Sequence, residues 1–120
     1  MNEDEVVEEL REERVEYGRL WREAARGERD AYEWINEGAD YWEETHMLAE
    51  LKSEIDEARG EPTQIIKALR AGRISPVEAE ALRMKLNSKR SDLEQSLKCI
   101  HVPDIRKYHA EEMRELMSYG

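Results

Sequence analysis

Phenylalanine is missing from these 120 residues, cysteine occurs once and proline three times. With a lone Cys99, no intramolecular disulfide can form and no multi-cysteine metal site can be assembled. Its neighbours Leu97 and Ile100 suggest a small apolar side chain rather than a reactive thiol. No apolar run approaches the ~20 residues needed to span a bilayer. The acidic start (Asn2, Glu3, Asp4, Glu5) does not resemble a secretory signal, so the expected compartment is the cytoplasm.

Basic charge is also scarce. Nineteen Lys and Arg face twenty-nine Asp and Glu, a formal net charge of −10. Affinity for a nucleic-acid backbone comes from cations neutralising phosphates, so direct nucleic-acid binding is not expected. An anionic membrane surface is excluded on the same ground. The imbalance is local: residues 1–60 carry about −12 and residues 61–120 about +2. With 39% hydrophobic residues the core must be thin, and pairing with a second copy would enlarge it.

The apolar residues that are present recur at helical spacing, which predicts an ordered, all-α chain. A single domain over 1–120 is expected: an acidic long hairpin over 1–60, then a near-neutral helical half over 61–120. Taking glycine as the stop signal, the first helix runs from Glu3 to Arg26, with Val6, Leu10, Tyr17, Leu20 and Ala24 on one face. The second runs from Glu28 to Arg59 and carries one stripe of Trp34, Ile35, Gly38, Tyr41, Trp42, Thr45, Leu48 and Ala49. On this reading the second helix is too long for its own chain to cover. Thr63 caps a short helix over Gln64–Ala71. Ser75-Pro76-Val77-Glu78 is a capping box that starts a helix reaching about Ile100, and Asp104 caps a last one through Met117. The expected architecture is a helical bundle built on a long antiparallel hairpin, followed by a short helix, a capped long helix and a C-terminal helix.

Two stretches resemble known families. Residues 66–86, a small helix, the turn Gly72-Arg73-Ile74-Ser75 and an acid-capped helix reaching Lys85-Leu86, resemble the SHOCT-type short helical module; the likeness implies oligomerisation or docking. Glu8-Glu9-Leu10-Arg11-Glu12 with Glu37-Gly38-Ala39-Asp40 resembles the carboxylate signature of all-α nucleoside triphosphate pyrophosphatases, the MazG-like family. That resemblance implies that Glu8, Glu9, Glu12, Glu37 and Asp40 hold Mg²⁺ on a triphosphate, work suited to hard oxygen ligands. Glu33, Glu37, Asp40 and Glu44 would continue it as one carboxylate stripe. Glu43-Glu44-Thr45-His46 has the Glu-x-x-His spacing of di-iron bundles, but no second copy exists in the chain to complete such a site.

No catalytic triad or phosphate-binding loop is present. The leading expectation is therefore a non-catalytic helical protein that binds another protein and forms a homo-oligomer, with no cofactor and no catalytic residue. Trp21, Tyr32, Trp34, Tyr41 and Trp42 are its candidate partner-binding residues, since aromatic side chains concentrate binding energy. The alternatives are the Mg²⁺-dependent pyrophosphatase and an acidic decoy of nucleic acid, whose row of carboxylates is interrupted by Arg11, Arg14, Arg19, Arg22, Arg26 and Arg29.

Overall fold

The computed structural model describes residues 2–119, and among them every regular element is an α-helix. The helices are α1 (Glu3–Asn36), α2 (Trp42–Ala58), α3 (Glu61–Arg70), α4 (Pro76–Lys98) and α5 (Ile105–Ser118).

The spine is α1, at 34 residues about 51 Å long by its helical rise. Asn2 caps it, its side chain accepting the Glu5 N–H at 2.9 Å, and three acids occupy the first turn, where the helix dipole favours them. The buried positions Val6, Leu10, Glu13, Tyr17, Leu20, Ala24 and Ala31, with Gly27 between the last two, are spaced alternately four and three apart. That spacing keeps one seam facing inward along the whole helix.

Here the structure corrects the expected boundary. Helix α1 does not stop at Gly27; it runs through it, and the hairpin turns at residues 37–41. Gly27 serves close packing instead, since a Cβ there would lie 3.3 Å from Leu48 Cδ2. The stop is Gly38, at φ +94°. Its N–H donates to Ile35 O at 2.9 Å and the Ala39 N–H donates to Trp34 O at 3.0 Å, closing a Schellman motif that needs a left-handed residue. The stripe drawn from Trp34 to Ala49 therefore belongs to no single helix, and the carboxylates Glu33, Glu37, Asp40 and Glu44 are split by the turn. The helix too long for a simple hairpin is α1, and the other four helices cover it.

Helices α2 and α3 run back along α1 in the opposite direction. Lys52 Nζ meets Glu28 at 2.8 Å, and further on Arg70 reaches Asp4 at 3.1 Å. Gly60, not Thr63, occupies the N-cap of α3, with Pro62 in its first turn. A second Schellman motif at Gly72 (φ +73°) turns the chain again. The capping box then forms as expected: the Glu78 N–H donates to Ser75 Oγ at 3.1 Å, and the Ser75 N–H donates to Glu78 Oε1 at 3.3 Å. Helix α4 runs parallel to α1, burying Ala79, Leu86 and Leu93 at seven-residue intervals. Asp104 caps α5, which carries on past the far end of the bundle.

Two apolar clusters fill the interior, one around Tyr17, Leu51, Ile55 and Leu86, the other around Val6, Leu10, Leu69 and Ala79. The outline is a rod of 68 × 27 × 19 Å. Its radius of gyration, 19.5 Å, exceeds the roughly 14 Å of a compact chain of this length.

Gly38→Ala should lower stability by about 1 kcal/mol, because alanine is strained in the left-handed region. Gly18→Ala, in an ordinary helical position where a Cβ would meet only the flexible end of Arg22 at 3.8 Å, should raise it by up to about 1 kcal/mol. Urea unfolding of the two variants checks both signs; a stabilised Gly38→Ala would refute the turn.

Candidate interaction surfaces

Glu13 occupies an inner-seam position of α1 and is 4% exposed. Burying a carboxylate is costly unless it is paired, and here the pairing is complete. Arg90 donates from Nε at 2.9 Å and from Nη2 at 3.2 Å, and Asn87 Nδ2 adds a third bond at 2.7 Å. Arg90 also reaches Glu94 at 2.7 Å. One turn along, the Tyr17 hydroxyl donates to Leu86 O at 2.6 Å. These bonds set the register of α4 against α1. Burial works against the charge on Glu13, but the bonds from Arg90 and Asn87 outweigh it and hold the carboxyl below its ordinary range.

Arg83 makes a second junction between α1 and α4. It clasps Glu80 with two bonds of 2.6 and 2.9 Å, which lower the Glu80 carboxyl. Glu9 Oε2 lies 2.9 Å from Arg83 Nε, but that N–H is aimed at Glu80, and the oxygen accepts no hydrogen bond. Beside the Glu80 carboxylate and partly desolvated, Glu9 is pushed above its ordinary range. The sequence reading assigned neither junction. The signal available for Glu13 was its place in the four-three spacing of Leu10, Tyr17 and Leu20.

The five aromatic candidates are divided by the fold. Trp21 is half-buried against the core, with the Arg59 guanidinium 4.9 Å and the Lys52 ammonium 5.9 Å from its ring centre. Trp34 packs against Tyr108 of α5 with ring centres 4.9 Å apart and planes tilted by 59°, and lies 6.0 Å from Tyr41, while its indole N–H donates to Pro103 O at 2.8 Å. With Asp104 bridging to Arg26 at 3.3 Å and His109 to Glu37, these contacts pin the first turn of α5 to the end of α1. Tyr32 and Trp42 face solvent, at 48% and 62% exposure.

The remainder of α5, residues 110–118, is exposed throughout. Only Ile105 is buried, whereas Met113, Leu116 and Met117 are exposed on one side of the helix. Cys99, expected to pack as an apolar residue, is exposed at the end of α4. Shallow hollows line the helices, the one between α2 and α4 being about 410 Å³ and edged by Met47, Leu51 and Ile100.

Glu8, Glu9 and Glu12 lie near the start of α1, and Glu37 and Asp40 lie at its far end. At 1.5 Å per residue, Glu9 and Glu37 are about 42 Å apart along the axis. One chain therefore does not bring the five carboxylates together. Among the described residues no group of three or more His, Cys, Asp or Glu is arranged to hold a metal ion. His46 pairs with Glu50 at 3.1 Å on an exposed surface. Among the described residues no helix is long and apolar enough to cross a membrane. No protein-family model, curated protein or solved structure matches this chain.

Glu13→Ala should cost about 3 kcal/mol, since Arg90 is left largely buried without its main partner. The pH dependence follows from the direction of the shift. A carboxyl lowered by folding contributes stability above its unfolded value of about 4.5, and that contribution is lost as pH falls through the folded value. The stability gap between the native chain and Glu13→Gln should thus be widest near neutrality and close under acid. Glu9, shifted upward, has the opposite sign, so Glu9→Gln should be neutral or stabilising at pH 7. Denaturation curves across pH 3–7 compare the pair; an equal loss in both variants would contradict this account.

Proposed function

We propose that this protein is a non-catalytic helical module that works by binding another protein and that pairs with a copy of itself. The observation that carries the reading is α5: an amphipathic helix held at one end, with Met113, Leu116 and Met117 of its apolar side left exposed among the described residues. Its exposed surface agrees. The chain presents 8111 Å² to solvent, against roughly 6,800 Å² for a compact monomer of its mass. The rod shape accounts for part of that excess, and the exposed apolar side of α5 adds to it. Tyr32 and Trp42, both exposed, are the two aromatic candidates left open to a partner.

The alternatives draw less support. A pyrophosphatase would have to gather carboxylates that one chain sets about 42 Å apart along its longest helix. A nucleic-acid decoy calls for an unbroken row of negative charge, and the second half of α1 presents arginines instead.

Because Met113 and Leu116 are exposed, at 57% and 63%, Met113→Glu with Leu116→Glu should leave the unfolding free energy within about 0.5 kcal/mol of the native value. A large loss of stability would mean that this side is covered within the chain, removing the support for a docking role. Light scattering across a concentration series tests the pairing, and a mass fixed at 14.2 kDa at every concentration and ionic strength would refute it.

A further inference from the structure

The hollow between α2 and α4 opens on a side of the bundle that no residue of α1 borders. Met47, Leu51 and Ile100 give it apolar surface, Glu50 and Glu54 stand on its α2 wall, and Ser96 and Cys99 on its α4 wall. Among the described residues every ion pair between helices runs to α1 or its C-cap Glu37, and none joins α2 to α4. Helices α1, α2 and α4 share one core cluster, so a further helix laid in the hollow would complete a four-helix arrangement.

The chain's own α5 does not fill it. Tyr108 and His109 hold the first turn of α5 to the end of α1, and residues 110–118 run on in the direction of α1, adding about 13 Å of exposed helix. The hollow begins at this same end. Met47 and Glu54 lie five and twelve residues from the start of α2, about 8 and 18 Å along it. In a second copy turned end for end about a two-fold axis, α5 would point back over the first copy, parallel to α2 and antiparallel to α4, along the stretch that the hollow occupies.

Charge selects the same direction. At about 100° per residue, the apolar side of α5 centres on Met113, with Leu116 about 60° to one side and Met117 about 40° to the other. Arg114 lies beyond Met117 and Glu112 beyond Leu116, each about 100° from Met113. For a right-handed helix laid parallel to α2 with this apolar side on the hollow, the Arg114 flank turns to the wall of Glu50 and Glu54. The reverse direction would set Glu112 against those acids. Among the described residues Arg114 and Glu54 have no opposite charge within 4.0 Å, and Glu50 has only His46, at 3.1 Å.

We propose, resting on the self-pairing reading above, that two copies join at the ends where their hairpins turn, the exposed part of α5 of each lying in the α2–α4 hollow of the other. Met113, Leu116 and Met117 cover Met47, Leu51 and Ile100, and Arg114 meets Glu50 and Glu54. Two such short contacts fall at the small end of specific interfaces, so the dimer is weak and dissociates on dilution. A different protein docking on α5 competes with it.

Sedimentation across a concentration series, with the rate of Cys99 alkylation measured on the same samples, tests this. The native chain should approach twice its mass as concentration rises, and alkylation should slow several-fold as α5 of the second copy covers Cys99. Met113→Glu with Leu116→Glu should abolish association and keep alkylation fast, with helicity by circular dichroism unchanged. Arg114→Glu, and separately Glu50→Lys with Glu54→Lys, should each weaken association at least about tenfold. The chain carrying all three charge changes should again pair with itself and not with the native chain. A dimer in which Cys99 reacts as fast as in the monomer, or one that keeps native strength in these variants, would overturn the proposed surface while leaving self-pairing intact. A native chain that stays at one mass throughout would remove both.

Discussion

Every other helix depends on one continuous seam along α1. Residues 6, 10, 13, 17, 20, 24, 27 and 31 alternate in steps of four and three, which holds a straight line of side chains inward for most of the helix. Helices α2 and α3 return along this line in one direction, and α4 and α5 follow it in the other. A chain with so few apolar residues can build a core this way because α1 contributes to both apolar clusters, packing with α2 and α4 in one and with α3 and α4 in the other. The cost is shape. A core one side chain wide gives a rod, with more surface than a sphere of equal mass.

Two seam positions are not filled by apolar side chains, and they set how the neighbours dock. Gly27 admits Leu48 close to the α1 backbone, bringing α2 in tightly. Glu13 receives Arg90 and Asn87 from α4. Apolar contacts tolerate sliding along a helix, whereas a buried carboxylate does not: moving α4 by one turn would leave both charges unpaired in a dry environment. The ionic junctions therefore specify alignment in a bundle whose hydrophobic contacts are sparse.

The surfaces left over are of two kinds. The outer side of α1 is charged, with both signs present and almost no apolar area. The free side of α5 carries methionine and leucine, adaptable side chains suited to an apolar groove. The aromatic residues are mostly internal fasteners. Trp34, with Tyr41 and Tyr108, anchors α5 to the turn of the hairpin, and Trp21 lies beneath Arg59.

Much of this was legible along the chain. The all-α class, the apolar side of α1, the Ser75–Glu78 capping box and the Asp104 cap all follow from short-range rules, because helical periodicity and caps are decided by residues a few positions apart. The choice between Gly27 and Gly38 was not legible: both glycines can end a helix, and only the approach of Leu48 shows that one is there for contact and the other for backbone conformation. Nor was the burial of Glu13 legible, since its partners lie more than seventy residues away. Nor could spacing alone tell that Glu8, Glu9 and Glu12 sit at the opposite end of a helix from Glu37. Local sequence determined which segments are helices and where most begin. The tertiary structure decided which glycine turns the chain, which glutamate is buried and which aromatics are free, because each of those depends on what a distant segment places against it.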